Sequence, residues 1–343
     1  MIAENREKKV LITGAAGFVG TYLSRALLED PDYEVIGIDN LNDYYDMTLK
    51  KKRLELLASD NFRFIKGDIT DRRLLVKVFE QYRPKVVINM AAQAGVRYSM
   101  IKPEKYIDTN IVGFSNILDM CRLFDVDYLV FASSSSVYGD SEKYPSSEYD
   151  HVDAPVSVYA ATKRCDEILA YAYSKAFGIP IIGLRFFTVY GPYGRPDMAY
   201  YKFAEKMISG EPIELFNYGQ CNRDFTYIDD IVNGILLVIE NGTAYLKNKI
   251  IPYDVFNIGK GKPDKLMGFV RMLKDGLIRH GLLGKDYDLN KHIVLAPMQK
   301  GDVITTYADN RAFEKVFGYC PETELAEGLD KFCKWFAEYY NEL

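Results

Sequence analysis

Apolar and polar positions change period along the chain. Val10–Thr13, Glu34–Ile38, Phe62–Ile65, Val86–Met90, Tyr128–Phe131 and Pro180–Leu184 are short runs rich in β-branched residues and read as strands. Their near-continuous apolar character suits a parallel sheet covered on both faces. Between them, Phe18–Glu29, Leu74–Tyr82, Asn110–Phe124 and Val158–Phe177 carry helical spacing. Strand–helix alternation of this kind builds a doubly wound α/β layer. After Arg185 the pattern loosens into Gly-, Pro- and Tyr-rich loops and shorter elements, which predicts a smaller C-terminal α/β domain. The expected division is 1–184 and 185–343. The two parts are interleaved, because Tyr253–Ile258, in a segment near 225–258, is a strand able to return to the first sheet.

Composition narrows the class. A length of 343 residues fits about two domains of ~150 residues each, and 48% hydrophobic residues can bury a sizeable core. With 43 Lys+Arg against 48 Asp+Glu, the net charge of -5 lacks the basic footprint that duplex nucleic acid or an anionic membrane would require. Apolar stretches such as Gly234–Ile239 are far shorter than the ~20 residues that span a bilayer. The segment Met1–Lys9 has no apolar signal region. Cys121, Cys165, Cys221, Cys320 and Cys333 are odd in number and contain no CxxC, so neither a disulfide framework nor a zinc site is expected. His151, His280 and His292 are too dispersed to suggest a metal site. The expectation is a cytoplasmic protein with no metal, no nucleic-acid partner and no membrane span.

The first strand runs directly into Gly14-Ala-Ala-Gly17-Phe-Val-Gly20 and then a helix. Glycines permit a tight turn and close approach of the backbone to a pyrophosphate, whose charge the helix N-terminus stabilises. Asp39 ends the second strand, 19 residues past Gly20, where a carboxylate can accept both hydroxyls of an adenine ribose. It would repel a 2′-phosphate, and no Arg follows immediately, so NAD is favoured over NADP. Asp68 and Ile69 follow the third strand, where an adenine-contacting turn would fall.

Tyr159 and Lys163 stand four apart on a predicted helix and therefore share a face. A phenol of reference pKa ~10 is a poor base at neutral pH, and a neighbouring ammonium favours its ionised form. Lys163 is also placed to hold a nicotinamide ribose. The polar run Ser133–Gly139 lies at the carboxyl end of a strand, the edge where open α/β sheets bind ligands.

Taken together, the glycine turn, Asp39, the serine run and Tyr159/Lys163 resemble the extended short-chain dehydrogenase/reductase family. More narrowly, Asp39–Tyr45, Ala91–Ser99, Leu184–Pro192, Gly194–Ala199 and Arg223–Asp229 look like segments of the UDP-glucuronate 4-epimerases, over essentially the whole chain. The resemblance implies a Rossmann-type domain holding NAD, a C-terminal domain holding a UDP-sugar, and a homodimer built on a four-helix bundle from the helices near 110–124 and 158–177. It implies Tyr159 as acid/base with Lys163 as its partner and Ser134 as the catalytic hydroxyl. Cofactor positions would include Phe18, Val19, Asn40, Asp68, Ile69, Ala91, Gln93, Asn110, Ser133 and Phe186, beside Gly14, Gly17, Gly20 and Asp39. Nucleotide contacts would fall at Phe216, Arg223 and Asp302. Related UDP-galactose epimerases carry an Arg where Gln299 stands here, which leaves Arg195 to contact the diphosphate.

Relatives on this scaffold begin by oxidising C4 of the sugar. The 4,6-dehydratases then use Asp-Glu at the positions of Ser135 and Ser136, and the decarboxylases resemble them in carrying a Glu in this run. Hydroxyls cannot act as a carboxylate base. The expected outcome is therefore return of the hydride to the opposite face, which is C4 epimerisation. Thr188, Ser135 and Ser136 are the candidate donors to the sugar carboxylate, with Arg97 as an added charge. A UDP-glucuronate decarboxylase and a UDP-hexose 4-epimerase stand as alternatives, as does a non-catalytic nucleotide sensor on the same fold.

Overall fold

Val10, Leu11 and Ile12 are wholly buried, and their strand, β1 (Lys8–Thr13), lies between two parallel neighbours. The computed structural model describes residues 8–299 and 301–341, so the reading of the leader at Met1–Lys9 falls mostly outside them. After β1 come α1 (Phe18–Leu27), β2 (Tyr33–Asp39), α2 (Met47–Glu55), β3 (Phe62–Lys66), α3 (Arg72–Tyr82) and β4 (Val86–Asn89). Single turns α4 (Val96–Ser99) and α5 (Pro103–Tyr106) lead to α6 (Phe114–Leu123), β5 (Tyr128–Ser134), α7 (Val158–Phe177) and β6 (Ile181–Phe186). The remainder comprises β7 (Thr188–Tyr190), α8 (Ala199–Ser209), β8 (Ile213–Leu215), β9 (Asn222–Tyr227), α9 (Ile228–Leu246), β10 (Tyr253–Ile258), β11 (Pro263–Lys265), α10 (Leu266–Arg279), β12 (Ile293–Leu295), α11 (Arg311–Phe317) and α12 (Leu325–Asn341).

Seven strands form one parallel sheet in the order β10-β6-β5-β4-β1-β2-β3. The strand order reverses between β1 and β4, which opens a crevice at the carboxyl ends of those strands. Alternate residues feed two cores. Val10, Ile12, Val35, Ile88, Val130 and Ile182 face one layer, completed by α1, α9 and α12. Leu11, Ile36, Val87, Leu129, Phe131 and Ile181 face the other, completed by α3, α6 and α7. Burial on both faces is why these strands read as continuous apolar runs. Tyr253–Ile258 does return to this sheet, as β10 beside β6 with Phe256 opposite Leu184.

Boundaries follow local chemistry. Ser157 accepts a bond from the Ala160 amide at the start of α7, and Gly178 in the left-handed conformation ends it, giving the predicted 158–177. Helix α3 begins two residues before its apolar spacing predicts, because Asp71 accepts from the amides of Arg73 and Leu74. β5 runs past the predicted Phe131 to Ser134, so Ser133 and Ser134 belong to the strand. The predicted helix 110–124 opens instead as a π-helical turn, Ile107–Gly113. Within that turn Asn110 bonds both backbone groups of Gln93 and the Thr162 hydroxyl. Helix α2 has no counterpart in the apolar pattern. Its residues are mostly polar, and Asp46 caps it while Leu49, Lys50 and Arg53 turn inward.

Beyond β6, a three-stranded sheet (β11-β9-β7) and a parallel pair (β12-β8) form, packed with α8, α10 and α12. Aromatic rings join these helices, with Tyr200 edge-on to Phe332 at 5.1 Å. Among the described residues no helix is long and apolar enough to cross a membrane.

Candidate active site

Gly14 sits at φ +71, and a Cβ there would stand 2.8 Å from the Ala91 amide nitrogen. A Cβ on Gly20 would come within 2.2 Å of the Gly14 carbonyl oxygen. The turn therefore packs against the ends of β4 and α1 in a way only glycine allows. At the end of β2, Asp39 accepts from the amides of Ala16 (3.2 Å) and Leu41 (2.8 Å), which orients its carboxylate along the edge of a long cavity. Asn40 donates to Asp68 at 2.7 Å. Burial acts to raise the Asp68 carboxyl, but hydrogen bonds from Asn40 and Thr70 outweigh it and hold the group below the usual carboxylate range.

The cavity follows the crevice from Asp39 to Tyr159. It is lined by Gly14, Gly17, Phe18, Val19, Gly20, Asp39, Asn40, Asp68, Ile69, Ala91, Gln93, Ser133, Ser134, Tyr159, Lys163, Phe186 and Arg195 among the residues singled out in the sequence. Asn110 is the exception among the expected cofactor positions. It is buried beneath the wall and fixes Gln93, so it acts on the cavity through that residue. Main-chain amides at a helix N-terminus, a strand-end carboxylate and a glycine floor form a donor set suited to a dinucleotide.

At the far end, Ser134 accepts from the Ser136 amide at 3.1 Å and bonds the Ser136 hydroxyl. The Tyr159 ring meets Tyr106 edge-on at 6.2 Å, and Tyr106 in turn donates to the Ala94 and Gly95 carbonyls. Lys163 donates to the Ala132 carbonyl at 3.0 Å and to Asp166 at 3.1 Å. Sequence spacing placed Tyr159 as its partner. In the structure the ammonium's hydrogen bonds go to a strand carbonyl and to an acid one turn along the same helix, while Tyr159 shares the cavity wall.

Glu167, the next residue, ties α7 to the sheet. It accepts two bonds from Arg185 of β6 at 2.8 Å, one from Ser133 of β5 at 2.7 Å and one from Arg164. Arg185 also donates to the Tyr138 hydroxyl, which donates to Asn257 of β10. Tyr138 is thus part of the buried tie beneath the serine run.

A second cluster lies apart from the cavity lining. The Arg97 guanidinium stands 4.4 Å above the Phe216 ring and 3.5 Å from Asp302. Arg223 donates to Asp302 at 3.0 Å and to the Val303 and Ile304 carbonyls. Arg97 therefore stands with Phe216, Arg223 and Asp302. Ser135 and Ser136 begin the 3₁₀ turn after β5, and Thr188 begins β7 in register with Phe225.

Lys50, Tyr44, Asp197 and Arg53 join the site without having been singled out in the sequence. Lys50 lines the cavity 4.0 Å from Asp39, bonded to Asn42, and burial lowers its pKa. Arg195 makes a bidentate pair with Asp197, to which Tyr44 also donates. Burial acts to raise Asp197, but Arg195 beside it holds the carboxyl below the usual range. Arg53, fully buried, binds the carbonyls of Ala16, Tyr193 and Gly194 and so fixes the loop carrying Arg195 against the glycine turn. Tyr44 and Asp197 fall inside recognised motifs. Nothing in the apolar pattern marks Lys50 or Arg53. Among the described residues no group of three or more His, Cys, Asp or Glu side chains could hold a metal ion.

A doubly wound sheet with this glycine turn, an acidic end to β2 and a Tyr/Lys helix beside the crevice defines a dinucleotide-dependent enzyme frame. Residues 10–259 match the model of the NAD dependent epimerase/dehydratase family. The chain is 43% identical over 341 residues to UDP-glucuronate 4-epimerase 4 of Arabidopsis thaliana, covering 97% of this chain and 76% of the relative. It is 38% identical over 344 residues to a probable UDP-glucuronate 4-epimerase of Rhizobium meliloti, covering 97% and 98%. It also superimposes with a TM-score of 0.86 on the crystal structure of UDP-glucuronic acid 4-epimerase from Bacillus cereus in complex with UDP-glucuronic acid and NAD. That pair is 34% identical, with 97% of this chain and 100% of the other covered. The chain belongs to the NAD dependent epimerase/dehydratase family.

The Glu167–Arg185 pair gives a direct test of how the site is held. Both side chains are almost wholly buried, and Glu167→Gln would leave the guanidinium without its counter-charge. A loss of about 3–5 kcal/mol in unfolding free energy is expected by denaturant titration. A loss below about 1 kcal/mol would contradict the pair as the tie between α7 and the sheet.

Proposed function

We propose that the protein is a UDP-glucuronate 4-epimerase, interconverting UDP-glucuronate and UDP-galacturonate by inversion at C4. The carrying observation is where carboxylates stand. The two that line the cavity among the described residues, Asp39 and Asp68, are both at the glycine-turn end, while the Ser134 hydroxyl lines the reacting end and Ser135 and Ser136 follow it in the 3₁₀ turn. No acidic base is placed there for elimination or for proton transfer at C5. Tyr159 takes the proton of the C4 hydroxyl at Oη and returns it after inversion. Ser134 shares that hydroxyl's hydrogen bond, and Lys163 supplies positive charge behind the phenol. The chemistry supplied by bound NAD is reversible hydride acceptance at C4 of the sugar.

Gly14, Gly17, Phe18, Val19 and Gly20 would hold the pyrophosphate, and Asp39 and Asn40 the adenine ribose. Asp68 and Ile69 would meet the adenine, with Ala91, Gln93, Ser133, Lys163 and Phe186 toward the nicotinamide. Phe216, Arg97, Arg223 and Asp302 would anchor the uridine diphosphate while the sugar turns. Arg195 stands in the same cavity as Tyr159, within reach of the diphosphate or the sugar acid, and Ser135, Ser136 and Thr188 offer neutral donors to the carboxylate. In this reading residues 1–184, with the returning strand, bind NAD, and 185–343 bind the UDP-sugar. The chain works in a reducing cytoplasm, consistent with five free thiols.

Helix α7 buries Lys163, Glu167, Ala170 and Ser174 on one stripe and exposes Ile168, Tyr171 and Phe177 on the other. Ile107, Val112 and Leu123 are exposed beside it. These apolar side chains suit a second copy packing two helices against two. Sedimentation is expected to give a dimer that Ile168→Arg together with Phe177→Glu converts to monomer, whereas a monomeric parent would contradict the bundle.

Incubation with UDP-glucuronate, followed by proton NMR, is expected to yield UDP-galacturonate, and Tyr159→Phe to cut turnover by at least about 10³-fold while keeping NAD bound. A pentose product with CO₂ release, or turnover only of UDP-hexoses, would contradict the assignment.

A further inference from the structure

Two charges stand together at the foot of the cavity with almost no access to water. The side chains of Lys163 and Asp166 are 2% and 1% exposed, and Nζ lies 3.1 Å from one Asp166 oxygen. The other carboxylate oxygen, Oδ1, is buried without a hydrogen-bond partner. A buried carboxylate oxygen lacking a donor is costly and is uncommon outside functional sites. Glu167 beside it shows the contrast, with donors on both oxygens.

The groups acting on Asp166 are few. On its own helix they are Lys163 and Glu167, with Cys165 alongside. From the packed strands, Arg185 of β6 and Ser133 of β5 are bonded to Glu167's carboxylate and Tyr253 of β10 to its carbonyl. Arg97 of α4 pairs with Asp302, Arg122 of α6 with Asp119, and Tyr106 of α5 meets the Tyr159 ring. Tyr138 bonds Arg185 and Asn257, and Asn110 of the π-helical turn bonds Thr162.

We propose that Asp166 is a positioning residue for the reaction, anchoring the Lys163 ammonium and setting how much of that positive charge reaches Tyr159. The inference rests on the reading of Tyr159 and Lys163 as reacting groups. A buried ammonium is costly without a counter-charge, and the same counter-charge offsets its field at Tyr159. Burial pushes the Asp166 carboxyl up to about 7 against the downward pull of Lys163. Below that range the neutral acid leaves the field of Lys163 whole. Above it, the carboxylate offsets that field.

The test is the pH dependence of kcat/KM for UDP-glucuronate in the NAD-loaded protein, compared with Asp166→Asn. Asparagine keeps the shape and an acceptor but carries no charge, so the field of Lys163 at the phenol is no longer offset. The part of the profile above about pH 7, where Asp166 is ionised in the parent, is expected to move to lower pH by about one unit or more and the part below it to stay with the parent, with KM changed less than about twofold because Asp166 touches no substrate. Asp166→Ala is expected to shift the same part in the same direction with a lower kcat, and serves if the asparagine variant does not fold. A profile superimposable on the parent, or moved to higher pH, would overturn the role of Asp166 while leaving Tyr159 as base. Substantial turnover by Tyr159→Phe measured alongside would instead overturn the reading beneath it.

Discussion

Lys163 carries its ammonium to the carboxyl end of β5, where it is almost sealed from water and where Ala132 and Asp166 accept its hydrogen bonds. A charge in such a place is unfavourable by several kcal/mol unless partners are fixed around it, and much of the local structure supplies that fixing. Helix α7 is capped at both ends, and Glu167 locks it to β5 and β6 through Ser133 and Arg185. The π-helical turn joins it through Asn110 and Thr162. The consequence is a cation fixed at the carboxyl edge of β5, in the same cavity as Tyr159.

The distribution of acidic groups along the cavity separates this chain's chemistry from that of dehydratases and decarboxylases on the same scaffold. Asp39 and Asp68 are held by backbone and amide donors far from Tyr159, while the reacting end carries hydroxyls. Asp166 is acidic and near, but lies behind Lys163, where it can change the potential at the phenol without touching substrate. The Phe216–Arg97–Arg223–Asp302 cluster is separate from the cavity lining.

The doubly wound sheet was legible because burial on both faces leaves continuous apolar runs, and the glycine turn and Asp39 because their roles depend on position relative to strand ends. The return of Tyr253–Ile258 was legible for the same reason. Helix α2 was not, since it is stabilised by its cap and by Arg53 reaching three distant carbonyls, and neither leaves a periodic trace. The π-helical turn depends on Asn110 meeting Gln93 and Thr162, contacts 17 and 52 residues apart. The contacts of Arg97 with Phe216 and Asp302 were not legible because these residues lie more than 100 positions away in the chain. The Lys163–Asp166 pair was passed over because helical spacing favours Tyr159 as the neighbour, whereas the buried lysine turns toward the acid.

The most direct measurement is a crystal structure of the protein with NAD and UDP-glucuronate bound together. Tyr159 Oη is expected within about 3.2 Å of the sugar O4, with the C6 carboxylate met by hydroxyl or arginine donors and no acidic side chain beside C5. A Tyr159 oxygen more than about 5 Å from O4 in a closed, fully liganded form, with a carboxylate closer to it, would contradict the assignment of the phenol as the base.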